Sequence, residues 1–323
     1  MTPAILLAVP NVSEGRDAAT IAQIGAAFAP REVSLLDVHS DADHHRSVFT
    51  LTGAPSALAD ALVAGAAEAV RAVDVVTRAS GDPAERGAHP HVGAVDVVPL
   101  VYFDERSRGA ACAAALVVGD RIADELDVPV FIYGELAGDL PGRTRADLRH
   151  GGMTHLAQRL GAGELRPDFG PARPHPSAGA TLLAAREPLV AFNLQLASPA
   201  TLADAKRIAA LVREGGEHGL PGLRAIGVEL AGGIAQVSMN VERPLELALF
   251  EVVQAVERHA TLASAELVGL APRAAFEGFP ADLPMPGFDP ARHLIENALA
   301  EISSRADAQP ENENADGQNA LGS

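Results

Sequence analysis

The 323-residue sequence predicts an α+β protein made of two tandem βαββαβ halves. Three observations carry this. Short apolar runs of strand length alternate with longer segments of helical periodicity. The order of these elements recurs in the second half. Landmarks also recur at matching places: Val9-Pro10-Asn11 against Ala191-Phe192-Asn193, and TGAP ending at Pro55 against VERP ending at Pro244.

The elements follow in order. Ile5 to Val9 is apolar and short, a strand, and Asp17 to Phe28 places Ile21, Ile24 and Phe28 on one helical stripe. Val33 to Val38 and Arg46 to Leu51 read as two strands joined by a polar loop. Pro55, at a favoured first helical position, opens a helix to about Val70. Val95 to Phe103 is the next strand, Ser107 to Leu126 a long helix, and Val128 to Tyr133 a strand rich in β-branched and aromatic residues. In the second half Leu189 to Leu196 is a strand and Thr201 to Arg213 a helix. Leu223 to Leu230 and Ile234 to Val241 are paired strands, Pro244 to His259 is a helix, and Ala265 to Leu270 is a strand. Each half thus reads as a split βαβ, or ferredoxin-like, unit.

The expected division is residues 1–177, 178–305 and a disordered tail over 306–323, whose ADAQPENENADGQNALGS is polar and poor in large apolar residues. Asp289 to Arg305 reads as a terminal helix. Between the halves, from about Gly138 to Pro176, lies a Gly/Pro/Arg-rich connection too long for a simple turn, and such connections tend to be functional.

A formal charge of −17 opposes binding to nucleic acid or an anionic membrane, both of which require a basic footprint. No apolar run reaches the roughly 18–20 residues that span a bilayer, and the N-terminus lacks the basic region of a signal peptide. The single cysteine, Cys112, excludes an internal disulfide and fits a reducing cytoplasm. Lys206 is the one lysine, so an anion site must be built from arginine, whose planar fork suits carboxylates.

Walker A, GxGxxG, GxSxG and paired CxxC patterns are absent, which removes the usual nucleotide, hydrolase and zinc-ribbon routes. Two histidine-rich stretches remain. In HSDADHHRS, the residues His39, Asp41, Asp43, His44 and His45 suit Zn, Mn or Fe by ligand type. They equally suit a strand-to-strand turn, in which Asp bonds to nearby backbone. In GAHPHVGAVD, Pro90 stiffens the loop between His89 and His91, and Gly93 permits close approach of a ligand or a second backbone. A neutral imidazole there is able to take a proton near neutral pH. Metal ligand, general base and solvated loop residue all stand as readings of it.

VPNVSEGRD, LLDVHSDADHHRSVFTLTG, HPHVGAVDVVPL, VPVFIYGE, RPDFGPARPHPSAGAT, LVAFNLQL and AQVSMNVE together resemble the glutamate formiminotransferases in wording and order, from about Val9 to Leu270. The resemblance implies transfer of the formimino group of N-formiminoglutamate to N5 of tetrahydrofolate, a one-carbon step of histidine degradation. It also implies two ferredoxin-like subdomains, a homodimer, tetrahydrofolate as co-substrate and no metal. The chain is too short for the cyclodeaminase fused to this domain in animals, so the stand-alone form is expected.

Carried over by position, the family's catalytic histidine matches His89. Its folate-contacting segment matches Gly170, Pro171, Ala172, Arg173, Pro174, His175, Pro176, Ser177, Ala178 and Gly179, and the arginine of its NRxV pattern matches Arg46. There are departures. Ala88 and His91 replace a Glu and an Arg common in the family, His45 replaces an Asn, and His39 stands where some members have an aspartate.

The implied transfer needs a base for the N5 proton and an acid for the departing glutamate nitrogen, and one histidine can serve as both. The cationic intermediate favours a nearby carboxylate, with Asp37, Asp41, Asp43 and Asp96 as candidates. Arg46 and Arg173, then Arg16, are candidates for the substrate carboxylates. Three rival readings keep the same residues: a metal-dependent hydrolase using His39, Asp41, His89 and His91; the same transfer from another donor such as formiminoglycine; and a folate binder without turnover.

Overall fold

The computed structural model describes residues 5–81, 87–88, 90–138 and 140–307. The first part of the chain runs β1 (Leu6–Ala8), β2 (Asn11–Val12), α1 (Ala18–Phe28), β3 (Val33–Asp41), β4 (Arg46–Gly53), α2 (Pro55–Ala72), α3 (Val75–Ser80) and β5 (Val95–Val101). It continues through α4 (Glu105–Leu126), β6 (Val130–Ile132), α5 (Arg145–Arg149), α6 (Gly152–Gly161) and β7 (Thr181–Arg186). The second part runs β8 (Val190–Leu196), α7 (Leu202–Val212), β9 (Leu223–Leu230), β10 (Ile234–Val241), α8 (Leu249–Glu257), β11 (Leu262–Val268), α9 (Pro290–His293) and α10 (Ile295–Asp307). The protein is α+β: helices cover one mixed and one antiparallel sheet.

In the first sheet β1 and β2 are two pieces of one strand, broken at Pro10, lying between β4 and β5; β3 flanks β4 on the outside. The ladder crosses the break because Phe49 N–H donates to the Pro10 carbonyl at 3.0 Å and Val9 N–H to that of Pro99 at 3.0 Å, neither needing a proline N–H. Beyond β5 the sheet is extended by β7 and then β6, both pairings parallel. The second sheet has the order β11–β8–β10–β9, all antiparallel. Counting within each half, both sheets carry the arrangement fourth–first–third–second strand.

This pairing corrects the predicted boundary. Residues 181–186 form β7 inside the first sheet, so the two sheets divide after Arg186, not after Ser177. The reason is that TLLAAR is a mostly apolar segment which pairs in parallel with β5 on one side and β6 on the other. The helix expected from Pro244 begins at Leu249, because the backbone first turns at Arg243–Leu247 and Glu251 then reaches back to the Ala248 N–H at 3.0 Å. The connection read as a long loop contains α5 and α6. Of the predicted tail, Ala306 and Asp307 close α10, and 308–323 lie outside the described residues.

Side-chain alternation sorts the faces. Leu6, Ala8, Phe49, Leu51, Val98 and Leu100 point to one side of the first sheet and pack with α1, α2 and α4. Leu7, Val9, Val48, Thr50, Val97 and Val101 point to the other side, toward the second sheet. β5 is buried along its whole length, as a run without alternation requires. In the second sheet Phe192, Leu194, Val237, Met239 and Val241 pack with α7 and α8. Its opposite face carries Asn193, Gln236, Ser238 and Asn240, the first three of them buried, and meets the first sheet. The layers are therefore helix, sheet, sheet, helix. α5 and α6 cover the β5–β7–β6 end through Leu148, Met153, Leu156 and Leu160, and Ile295 and Ala298 of α10 pack on Leu7 and Val101. Among the described residues no helix is long and apolar enough to cross a membrane.

Candidate active site between the sheets

Two facing sheets with one polar inner surface leave a cavity. Its outer part, about 950 Å³, is lined by Pro90, Tyr102, Tyr133, Glu135, Arg145, Arg149, Arg186, Ser238, Asn240 and Glu242, among others. A smaller recess of about 70 Å³ shares Arg145, Arg149, Arg186, Leu189 and Asn240 with it and adds Arg46, Asn11 and Thr50. Four arginines converge here from three elements: Arg46 begins β4, Arg145 and Arg149 bound α5, and Arg186 ends β7.

Their electrostatics are unfavourable to the cations. Burial pulls the Arg46 guanidinium down to about 10, with repulsion from Arg149 adding to it and Asp96 opposing. Burial likewise takes Arg186 to about 10 and lowers Arg145. Among the described residues no acidic side chain lines the recess. A recess of guanidiniums in a chain of net charge −17 is built to receive anionic groups, and planar forks favour carboxylates.

The stretch VPNVSEGRD holds the surrounding loops. Ser13 Oγ donates to the Gly93 carbonyl at 2.7 Å, and Ser47 Oγ donates to the Glu14 carbonyl at 2.5 Å. The Glu14 carboxylate pairs with Arg78 at 3.0 Å and accepts the Arg16 and Asp17 N–H groups. Burial opposes ionisation of Glu14, but these bonds outweigh it and hold the carboxyl below its ordinary range. Gly15 lies under the β3–β4 turn, where a Cβ would stand 2.2 Å from the Asp41 carbonyl oxygen and 2.4 Å from Arg46 N. Arg46 is thus seated by backbone that tolerates only glycine beneath it.

His89 lies outside the described residues. Its neighbour Pro90 lines the outer cavity, and Ala88 N–H donates to the Asp43 carbonyl at 2.9 Å, so the loop leans on the His-rich turn. Within that turn His39 Nε2 meets Glu266 of β11 at 3.3 Å, His45 Nδ1 accepts from Gly15 N–H at 3.1 Å, and Asp41 caps His44 N–H at 2.8 Å. These side chains point to separate partners, and among the described residues no three His, Cys, Asp or Glu form a metal-holding group.

None of residues 170–179 lines either of these two cavities. Arg173 forms a surface ion pair with Asp127 at 2.6 Å. His175 Nδ1 accepts from Ala178 N–H at 3.0 Å, closing its own turn. Ala178 and Ala180 pair with Ala94 and Val92 through backbone bonds of 2.9 Å. Gly93 and Gly179 allow that approach, since a Cβ on Gly93 would sit 1.8 Å from the Ala180 carbonyl oxygen. The segment braces the entry to β5. Arg16 bonds the Ala42 carbonyl at 3.0 Å and lines neither of these two cavities.

Sequence reading missed Arg145, Arg149 and Arg186, because a lone arginine in a loop carries no local sign of burial. The polar residues alternating along β8 and β10 were the available signal. Gln236 is 0% exposed, so this polar face is covered by protein.

Comparison with known proteins agrees with the resemblance. The profile of the formiminotransferase domain, N-terminal subdomain, matches residues 5–186, ending where β7 ends. The chain is 32% identical over 303 residues to a glutamate formimidoyltransferase of Streptococcus pyogenes, covering 91% of this chain and 98% of that one. It is 30% identical over 276 residues to a glutamate formimidoyltransferase of Thermoplasma acidophilum, covering 83% and 88%. To a formimidoyltransferase-cyclodeaminase of Gallus gallus it is 35% identical over 279 residues; the match takes in 83% of this chain and about half of that longer relative. The chain belongs to the formiminotransferase family.

Proposed function

We propose that the protein is a glutamate formimidoyltransferase, moving the formimino group of N-formimino-L-glutamate to N5 of tetrahydrofolate. The observation that carries this beyond family membership is the arginine-lined recess opening into a cavity of about 950 Å³. Both substrates of such a reaction bear glutamate carboxylates, and Arg46, Arg145, Arg149 and Arg186 supply guanidiniums to hold them. The outer cavity is large enough for a flat bicyclic acceptor, and its Tyr102 and Tyr133 offer apolar faces with polar tips.

In this reading His89, adjacent in sequence to cavity-lining Pro90, takes the proton from N5 as that nitrogen bonds to the amidine carbon. It then returns a proton to the glutamate nitrogen as the carbon–nitrogen bond to glutamate breaks. Such acid–base work contributes about 10²–10⁴ in rate. Holding donor and acceptor side by side contributes the rest without further groups. The reaction belongs to one-carbon metabolism and histidine degradation in the cytoplasm. Homodimer formation rests on the resemblance alone.

The test is turnover of N-formiminoglutamate with tetrahydrofolate, followed as the methenyl product after acid treatment, in wild type and His89→Ala. Loss in the variant supports both reaction and base. Turnover with formiminoglycine alone would move the reading to that donor, and failure to bind folate would remove it.

A further inference from the structure

Asp96 is 2% exposed in β5 and lines neither cavity. Its two carboxylate oxygens serve two different parts of the site. Oδ1 accepts the Val92 N–H at 2.8 Å, and Oδ2 accepts Arg149 Nη2 in a buried ion pair. Val92 is fully buried, two residues after Pro90 of the cavity wall. Arg149, 8% exposed, lines both the recess and the outer cavity. A single side chain therefore fixes both the exit of the loop that carries the cavity wall and the guanidinium opposite it.

We infer that Asp96 is a positioning residue, which sets Arg149 in the cavity and anchors the Pro90–Val92 segment at Val92, fixing one relative to the other. A carboxylate is the group this requires. It accepts on both oxygens, whereas an amide presents one acceptor and one donor to two donors. Lying behind the cavity wall, Asp96 acts through Arg149 and Val92 and not on the cationic intermediate itself. The kinetic part of this inference rests on the formimidoyltransferase reading; the anchoring does not.

The experiment compares Asp96→Ala and Asp96→Asn with wild type by steady-state kinetics, hydrogen exchange at the Val92 amide, and calorimetric binding of N-acetyl-L-glutamate. Asp96→Ala should lower kcat about 10²-fold through misplacement of the loop, raise KM for the donor about tenfold through loss of a set guanidinium, and speed exchange at Val92. Asp96→Asn, keeping the volume but only one acceptor, should restore about tenfold of the lost kcat and leave about tenfold missing, whereas a purely volume-filling role would restore it fully. Wild-type kcat in Asp96→Asn, or unchanged exchange at Val92 in Asp96→Ala, would overturn the inference. If the wild type does not turn over, the functional reading fails by itself. Exchange and N-acetylglutamate binding then decide: weaker binding and faster exchange in Asp96→Ala support the anchoring, and unchanged exchange at Val92 sinks it.

Discussion

Gln236 of β10 donates its side-chain amide to His44 Nε2 at 3.0 Å, a buried bond that joins the second sheet to the β3–β4 turn of the first. As an acceptor at Nε2 the His44 ring is neutral, and its surroundings agree. Burial depresses the imidazole below its ordinary 6.5 by more than the neighbouring Asp41 raises it. Beside it, His39 and Asn193 both reach Glu266, at 3.3 and 2.8 Å. Burial resists ionisation of Glu266, but these hydrogen bonds prevail and hold its carboxyl below the ordinary value of 4.5.

Both shifts act in one direction on acidification. A depressed folded-state value means that the unfolded chain binds the proton more readily, so stability is lost as pH falls. The His44 contribution is complete above about 6.5 and declines below it; the Glu266 contribution is complete above about 4.5 and declines as pH falls through its lower folded value. Thermal unfolding from pH 8 to 4 should show a first decline, of at most about 1.4 kcal/mol per pH unit for one proton. His175 and His259, also depressed by burial, titrate in the same window, so His44→Leu should shrink this upper stage and leave the lower. Identical profiles for wild type and variant would show that His44 does not govern it.

Arg46 is held at a cost to the free protein. Replacing it with Met removes a desolvated cation from the recess, so the ligand-free variant should be more stable by about 1 kcal/mol. The same change should lower kcat/KM about 10²-fold if the recess binds substrate carboxylates. Denaturant unfolding and kinetics on one preparation check both signs; a variant both less stable and fully active would refute the assignment of Arg46.

Gly93→Ala tests the clamp at the entry to β5. Its Cβ would meet the Ala180 carbonyl oxygen at 1.8 Å, backbone against backbone, so the strand pairing must separate. The expected loss is about 3 kcal/mol, with turnover falling in parallel. Gly109→Ala, on the exposed face of α4 with nothing within 4 Å, should instead gain about 1 kcal/mol from helix propensity. The difference between the two in denaturant midpoint is the readout.

Arg173→Ala distinguishes bracing from folate contact for residues 170–179. Arg173 and its partner Asp127 are 58% and 57% exposed, and such a surface pair contributes at most about 0.5 kcal/mol. Stability and KM for tetrahydrofolate should stay within about twofold of wild type. A tenfold rise in KM, as expected for a lost charge-assisted contact of about 1.4 kcal/mol, would place the segment on the ligand after all.

Much of the fold was legible because its signals are local. β9 and β10 fall where alternation put them, α1 and α7 begin at the side-chain caps Asp17 and Thr201, and α2 begins at Pro55. β7 went unread because its six residues follow a proline-rich turn and gain strand character only by pairing with β5 and β6. α6 had a readable stripe in Met153, Leu156 and Leu160, masked by the glycines around it.

The sequence by itself determined most of the elements and the family, since hydrophobic period, turn chemistry and motif wording are written along the chain. Tertiary structure decided the candidate anion site. Arg46, Arg145, Arg149 and Arg186 are separated by up to 140 positions, and only the stacking of two sheets and the docking of α5 bring them to one recess. Charge in a sequence has no address until packing removes it from water, and that removal turns ordinary arginines into an anion site.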